Sequence, residues 1–368
     1  MANRPKKAGV GGRKKKSLQF HRIMINIALG AVMLVFVAVI SFLLLQISGK
    51  NSLYSRADNG ELMATLSNLA VELGGSIDVE DDWQEGDFRY EGIHYRYNDD
   101  ILTFLFLGID KMGVVERVKE GIEGGQSDAI FLLVLNPRNK QISVIGIPRD
   151  TMTEIDVCDR NGEYWGKTKG QLAIQHGYGD GAELSCERTM NAVASLMYEL
   201  PIHGYCAINM GAIPLLNDAV GGIDVEALET MNFKGFHVEQ GNALHLEGMD
   251  AYHYLHDRNI EVDYSAKSRL QRQKQYLLKY ASAVMEELKK NVGFAVSLYG
   301  TLSKYMVTDI SVDEVSYLAT QVLGYSFDSD NMYVLEGETV IGEIYEEFYP
   351  DEEALYKLII EIFYEEVE

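Results

Sequence analysis

Cysteine is scarce. The 368 residues include three, Cys158, Cys186 and Cys206, and no two have the C-x-x-C spacing of a zinc site or a redox pair. An odd count leaves at least one thiol unpaired within the chain, and the sequence does not choose a pair. Basic residues are also few, with 33 Lys and Arg against 55 Asp and Glu, a net charge of -22. Eight of them fall in the first 22 positions, "MANRPKKAGVGGRKKKSLQFHR", which hold no acid. Setting those eight aside leaves 25 basic against 55 acidic residues, a net of -30 for the rest. An acidic body with a short basic head argues against nucleic acid as a partner. Internal repeats and long low-complexity tracts are absent. "WGKTKG" lacks the G-x-x-x-x-G-K-[ST] spacing of a phosphate loop.

Charge is missing altogether from Ile23 to Ile47, "IMINIALGAVMLVFVAVISFLLLQI". A run of about 20 apolar residues spans a bilayer as a helix. The apolar part of a cleaved leader is shorter, roughly 7–15 residues, and ends in small residues. This run therefore reads as an uncleaved transmembrane signal-anchor over 23–47. The basic head over 1–22 stays in the cytoplasm by the positive-inside rule. The bulk of the chain then lies outside the cell membrane, and with it all three cysteines.

Beyond the anchor, residues 48–100 read as a juxtamembrane segment. A helical period (Leu62, Leu66, Leu69, Leu73) is followed by an aromatic β-hairpin around Glu91-Gly92. "ILTFLFLGID", "AIFLLVLN" and "QISVIGIPRD" are strands without a polar face. Such strands need layers on both sides, which favours α/β: a buried mixed sheet flanked by helices, α-β-α, after one transmembrane helix. A long amphipathic helix spans about Ser265 to Lys290, with Leu270, Leu277, Ala281, Val284 and Leu288 on one face. These elements make one unit over 101–290. Residues 291–368 read as an acidic, helical extension.

Chemistry-bearing residues gather at the strand tips. Asp110 follows one strand and Asp128 precedes the next. Either aspartate is also an ordinary turn or cap residue. If the strands are neighbours, the two carboxylates share a sheet end and suit Mg²⁺, which takes its other ligands from water and phosphate. Arg149 ends a third strand, and Arg258, Arg269 and Arg272 crowd a short window further on. Arg269 and Arg272 lie in the first turns of a helix, where the dipole favours anions over cations. The competing reading is a solvated face paired with Asp257 and Asp263. Guanidiniums match phosphate oxygens in bidentate fashion, so the set points to a diphosphate held by Mg²⁺ and arginines.

In order, the chain carries "LGID", "SD" before a strand, "IPRD", "YGDG", "LNDAVGGIDV" and R-x-x-R-Q. With a single N-terminal anchor, this series resembles the LytR-CpsA-Psr family of cell-wall enzymes. The resemblance covers roughly Ile101 to Lys290 and the anchor. It implies a phosphotransferase that moves an anionic glycopolymer, teichoic acid or capsule-like, from a polyprenyl-diphosphate carrier to peptidoglycan. It implies that Asp110 and Asp128 hold Mg²⁺ (or Mn²⁺), that Arg149, Arg258 and Arg269 clamp the diphosphate with Gln273 beside them, and that Asp150 orients Arg149. Arg272, Gln126 and His256 would complete the diphosphate site. The general base is left open between Asp110 and Asp128.

The sequence departs from the family in three places. Gln126 and His256 stand where the family has arginines, and the usual K-I-N segment near "KGQLAIQHGYGDG" is not preserved. Each charge-assisted bond lost is worth roughly 1.5–3 kcal/mol. His256 can donate when protonated, and Arg117 is a possible substitute. The departures leave a second reading, a non-catalytic envelope protein that binds the same lipid or polymer as a scaffold. Tyr178 and His176 fall where the family's site rim would be.

Overall fold

Strands that are apolar on both sides must be covered on both sides, and that requirement sets the architecture. The computed structural model describes residues 40–56, 60–77, 83–118, 123–233, 235–259, 265–342 and 345–367. The basic head and residues 23–39 of the expected anchor lie outside the described residues. Residues 40–54 form a helix. Among the described residues, no helix is long and apolar enough to cross a membrane.

The central sheet has six strands: β1 Leu102–Ile109, β2 Ser127–Asn136, β3 Gln141–Gly146, β4 Gly204–Asn209, β5 Met306–Thr308 and β6 Met332–Val334. Their spatial order is β5-β4-β1-β2-β3-β6. The sheet is mixed: β1–β4 and β3–β6 are parallel pairs, and the other three are antiparallel. Five helices carry most of the packing: α1 Gly60–Glu72, α2 Glu183–Leu196, α3 Ser265–Lys290, α4 Val312–Val322 and α5 Glu352–Phe363. On one face Leu105, Leu107, Leu132 and Ile145 pack with Leu66 of α1, Val193 of α2 and Ile359 of α5. On the other, Leu102, Phe104, Leu135 and Ile142 pack with Tyr317 of α4 and with Leu53 of the 40–54 helix. A separate apolar cluster joins the strands of 223–246 to Tyr254 and to Tyr276 of α3.

Local chemistry explains several boundaries. The hairpin Phe88–Tyr90/Ile93–Tyr97 turns on Glu91 and Gly92, both with positive φ (51° and 84°), the backbone a two-residue type I′ turn requires. Helix α4 starts at Ser311, whose side chain and that of Glu314 form a capping box. At α5, Asp351 accepts from the Ala354 N–H at 2.9 Å.

Two expectations need correction. Residues after 290 are not purely helical. They supply β5 and β6 to opposite edges of the central sheet, a hairpin Gly337–Ile341/Glu346–Pro350, and Tyr364–Val367, which pairs with Ile93–Tyr97. The segments before 101 and after 290 are thus parts of the same folded body as 101–290. The hairpin Met152–Cys158/Tyr164–Gln171 also escapes the sequence reading. Its second strand, "YWGKTKGQ", is mostly exposed and has no apolar alternation to reveal it. All three cysteines are free and buried.

Candidate active site

The tips of β1, β2 and β3 meet at one end of the sheet. Pairing along β1 and β2 runs Leu107–Ile130 and Gly108–Ala129, then slips to Ile109–Ser127. Asp128 is the residue skipped. A bulge of this kind re-aims a side chain at a strand end, and here it turns Asp128 into a pocket instead of along the ladder. Asp110 remains tied to the same end, its N–H donating to the Gln126 carbonyl at 3.0 Å. The Gln126 N–H returns a bond to Asp110 Oδ1 at 2.7 Å. Gly125 precedes this pair at φ 85°, and a Cβ there would lie 2.9 Å from Asp110 Oδ1, so the tight return needs glycine.

Arg149 follows β3 in a turn closed by the Thr151 N–H and hydroxyl, both donating to the Pro148 carbonyl (3.0 and 2.6 Å). Its guanidinium reaches three groups. Nη1 donates to Asp128 Oδ1, Nη2 donates to Gln126 Oε1 at 2.6 Å, and Nε lies 3.3 Å from Asp150 Oδ1. The Nε contact is an ion pair without an aligned hydrogen bond, which leaves a buried donor unsatisfied. Arg269, on α3 and 3% exposed, donates from Nη1 to Asp128 Oδ2 at 2.8 Å. Asp128 is therefore held on both oxygens by guanidiniums.

Burial, opposed by Asp150, lowers the Arg149 pKa. Burial and the charge of Arg258 lower that of Arg269 to about 10. Both stay cationic at neutral pH. Burial raises the Asp150 carboxyl, against the pull of Arg149 and Arg258. Gln171 Nε2 donates to Asp150 Oδ1 at 2.9 Å and fixes it.

These groups line a cavity of about 400 Å³. Its walls combine Asp128, Arg149, Asp150 and Arg269 with apolar Ile130, Ile147, Leu270, Leu335 and Phe348. Gln273 is also on the wall and donates to the Leu255 carbonyl at 3.3 Å. Arg258 stands close enough to act electrostatically on both Arg149 and Arg269, with Nη1 on Ser265 Oγ at 2.9 Å.

Asp110 and Gln126 line an adjoining groove instead of this cavity, and Arg272 and His256 lie away from both. Arg272 is 1% exposed and donates to the carbonyls of Tyr254 and Asp257, with Nε 2.8 Å from Glu229. It ties α3 to helix Met249–His256 and does not line the cavity. His256 is outside it as well, stacked on Tyr252 with ring centroids 4.8 Å apart and paired with Asp257. Sequence reasoning missed Lys267, Glu336, Glu346 and Phe348 on the cavity wall. Lys267 was within reach, two residues before Arg269. The others come from the hairpin region after β6, more than 180 residues from the "IPRD" turn.

The donor set fits a hard divalent cation. Among the described residues, no cluster of three or more His, Cys, Asp or Glu forms a cage. Asp110 accepts from the Gln126 N–H, and Arg149 bridges the Gln126 side chain to Asp128; two carboxylates are the number Mg²⁺ uses when phosphate and water supply the remainder.

A carboxylate clamped by two buried guanidiniums, at a strand-end cavity with apolar walls, defines a class of α/β protein built to receive an anion with an apolar attachment. The chain belongs to the LytR_cpsA_psr family, whose sequence pattern matches residues 73–357. It is 24% identical over 294 residues to the polyisoprenyl-teichoic acid–peptidoglycan teichoic acid transferase TagU of Halalkalibacterium halodurans, covering 79% of this chain and 87% of that protein. It is 30% identical over 220 residues to TagU of Bacillus mycoides, a match spanning 58% of this chain and 62% of that relative. In fold it is similar to a crystal structure of a Streptococcus agalactiae protein (TM-score 0.57, 21% identity, 72% of this chain and 86% of that one). It is similar also to TagV of Bacillus subtilis (TM-score 0.54, 23% identity, 70% and 94%).

Proposed function

We propose that this protein is a membrane-anchored transferase acting outside the cell, moving an anionic glycopolymer of the teichoic-acid type from a polyprenyl-diphosphate carrier to peptidoglycan. Its partners are then that lipid-linked polymer, peptidoglycan and the membrane itself. The observation that carries the reading is the Arg149–Asp128–Arg269 clamp at the head of a partly apolar cavity. Without ligand, Asp128 keeps the two guanidiniums charged, aligned and facing the cavity. A diphosphate competes for them with stronger, bidentate geometry. Ile147, Leu270 and Phe348 accommodate the first part of the prenyl chain.

Phosphoryl transfer depends on positioning and on neutralising charge. The acceptor hydroxyl oxygen bonds to the polymer-linked phosphorus. The bond from that phosphorus to the bridging oxygen breaks, and polyprenyl phosphate leaves with the electron pair. Arg149 and Arg269 hold the non-bridging oxygens throughout. Asp128, bonded on both oxygens, is a poor proton acceptor, which leaves Asp110 for the hydroxyl proton. Asp110 and Asp128 are the residues that would hold Mg²⁺ or Mn²⁺, and the ion would add charge neutralisation at the diphosphate.

The test is calorimetric titration of the full chain in detergent with a short-chain prenyl diphosphate, with Mg²⁺ and with EDTA. Mg²⁺-dependent binding that Arg149→Ala weakens at least about tenfold supports the reading, one charge-assisted bond being worth that much. Binding indifferent to both the ion and the substitution sinks it. Turnover with wall acceptors then separates the transferase from a binding scaffold.

A further inference from the structure

The hairpin Gly337–Ile341/Glu346–Pro350 carries an apolar tip in water. Val340 is 40% exposed, Ile341 54% and Tyr345 45%. The Gly342 N–H donates to the Tyr345 carbonyl at 3.0 Å and holds the two sides of the tip together. Single exposed apolar residues are ordinary, but three large ones grouped at a tip point to something they touch. Pairing sets Gly337 against Pro350, Thr339 against Phe348 and Ile341 against Glu346, so these share one face of the ribbon. Gly337, Thr339, Glu346 and Phe348 line the diphosphate cavity, whereas Val340, Ile341 and Tyr345 lie beyond its wall.

The other end of the chain says what such a tip meets. The 40–54 helix lies antiparallel to α4. Arg56, just after it, pairs with Asp309 and Glu314. Ser48 donates to Asp313 Oδ2 at 2.8 Å, and Gln46 bonds to Ser316 and Thr320. Helix α4 itself crosses the sheet. It begins just after β5 at one edge, and soon after its end Ser326 exchanges backbone bonds with Lys140 and Ile142 beside β3. Followed backwards from Arg56 to Ile40, the 40–54 helix therefore runs away from the β5 edge and towards the β3–β6 edge. There it exposes Phe42, Leu43 and Leu44. The hairpin springs from the same edge, since only Leu335 and Glu336 separate Gly337 from the end of β6.

The next step rests on the anchor reading, in which the bilayer begins where this helix starts. We propose that the hairpin tip is a second membrane contact, with Val340, Ile341 and Tyr345 seated at the boundary between headgroups and acyl chains of the outer leaflet. Aliphatic side chains enter the apolar layer there, and a phenol sits at headgroup level. The attachment is apolar and not electrostatic, because Glu338, Glu346 and Glu347 share the hairpin and anionic lipid would repel them. Anchor and tip together are two points, and two points fix the tilt of the body on the bilayer. The cavity wall at Thr339 and Phe348 is then continuous with the membrane surface.

The experiment places the full chain in nanodiscs of neutral phosphatidylcholine, with and without bromine on the upper acyl chain, and reads tryptophan fluorescence. Trp165→Phe removes an exposed native indole and is the background for three reporters at exposed positions. These are Ile341→Trp at the tip, Leu43→Trp in the 40–54 helix, and Leu184→Trp at the start of α2, next to a pocket shared with β5. Bromine is expected to dim Ile341→Trp and Leu43→Trp about twofold and to leave Leu184→Trp unchanged. Adding Val340→Asp and Tyr345→Asp to Ile341→Trp is expected to abolish the quenching, since carboxylates are driven from the apolar layer. Quenching of Leu43→Trp without quenching of Ile341→Trp overturns the proposal and leaves the anchor standing. Quenching that survives both aspartates overturns it too, because the anchor alone would then set the distance. A blue-shifted but unquenched Ile341→Trp gives the tip to a second copy of the chain and likewise overturns it. If Ile341→Trp is quenched and Leu43→Trp is not, the tip contact stands and the anchor reading is what fails.

Discussion

Asp128 shows how one side chain can prepare a site without reacting. Its two oxygens hold Arg149 and Arg269, so the cost of orienting both guanidiniums is met during folding. Lysine at 149 keeps the charge but not the fork, and one ammonium cannot replace the paired Nη1 and Nη2 bonds to Asp128 and Gln126. Arg149→Lys is expected to lower prenyl diphosphate affinity about 10- to 100-fold, readable by calorimetry, with little change in melting temperature. Arg272 makes the opposite prediction. It serves two backbone carbonyls and Glu229 inside the protein. Arg272→Met is expected to cost about 3 kcal/mol of stability in urea unfolding and to leave prenyl diphosphate affinity within about threefold. A large affinity loss in a well-folded Arg272→Met protein would return this residue to the binding site.

Among elements, α4 and the turn before it grip residues 46–56 from far along the chain. Glu314, buried at the helix start, accepts from the Ser311 N–H and pairs with Arg56 at 2.8 Å. Arg56 also meets Asp309 at 3.1 Å, and Gln46 and Ser48 bond to Ser316 and Asp313. Removing Arg56 leaves a buried carboxylate without its counter-ion. Arg56→Ala is expected to destabilise by about 3 kcal/mol, and adding Glu314→Gln should recover part of that in a double-mutant cycle. None of this latch is visible in sequence, because its partners are some 250 residues apart and each is an ordinary surface-type residue. By contrast, β1, β2 and β3 were legible from their unbroken apolar runs, α3 from its period, and the Glu91-Gly92 turn from its chemistry. Asp110, Asp128, Arg149 and Arg269 were legible because strand ends and helix starts are where such groups have meaning. Strands β5 and β6 were not: three residues are too few to show a period. The bulge that aims Asp128 was hidden too, since a register slip leaves no composition signal.

Taken as one molecule, the fold buries histidines in neutral form, and this ties its stability to pH. Burial, then the charge of Arg56, pulls the His203 pKa down to about 4. Its Nδ1 accepts from the Thr103 N–H at 3.1 Å, a bond available to the neutral ring. Burial lowers His176 as well. In the unfolded chain each titrates near 6.5. Between that value and the folded one, the unfolded state binds more protons, so stability rises with pH across the window. The contribution is complete above about pH 6.5 and is lost as pH falls towards 4, worth about 3 kcal/mol for His203. Asp150 and Asp309 act with the opposite sign, because burial raises both and the folded chain takes their protons first. Wild-type slope alone therefore understates the histidine effect, and a variant must isolate it. His203→Asn retains an acceptor for the Thr103 N–H but cannot titrate. Urea unfolding at pH 7 and pH 4.5 should show the variant losing less stability than wild type over that interval, by about 2–3 kcal/mol. An equal loss in both proteins would mean that His203 is not held neutral by the fold and that the acid sensitivity has another origin.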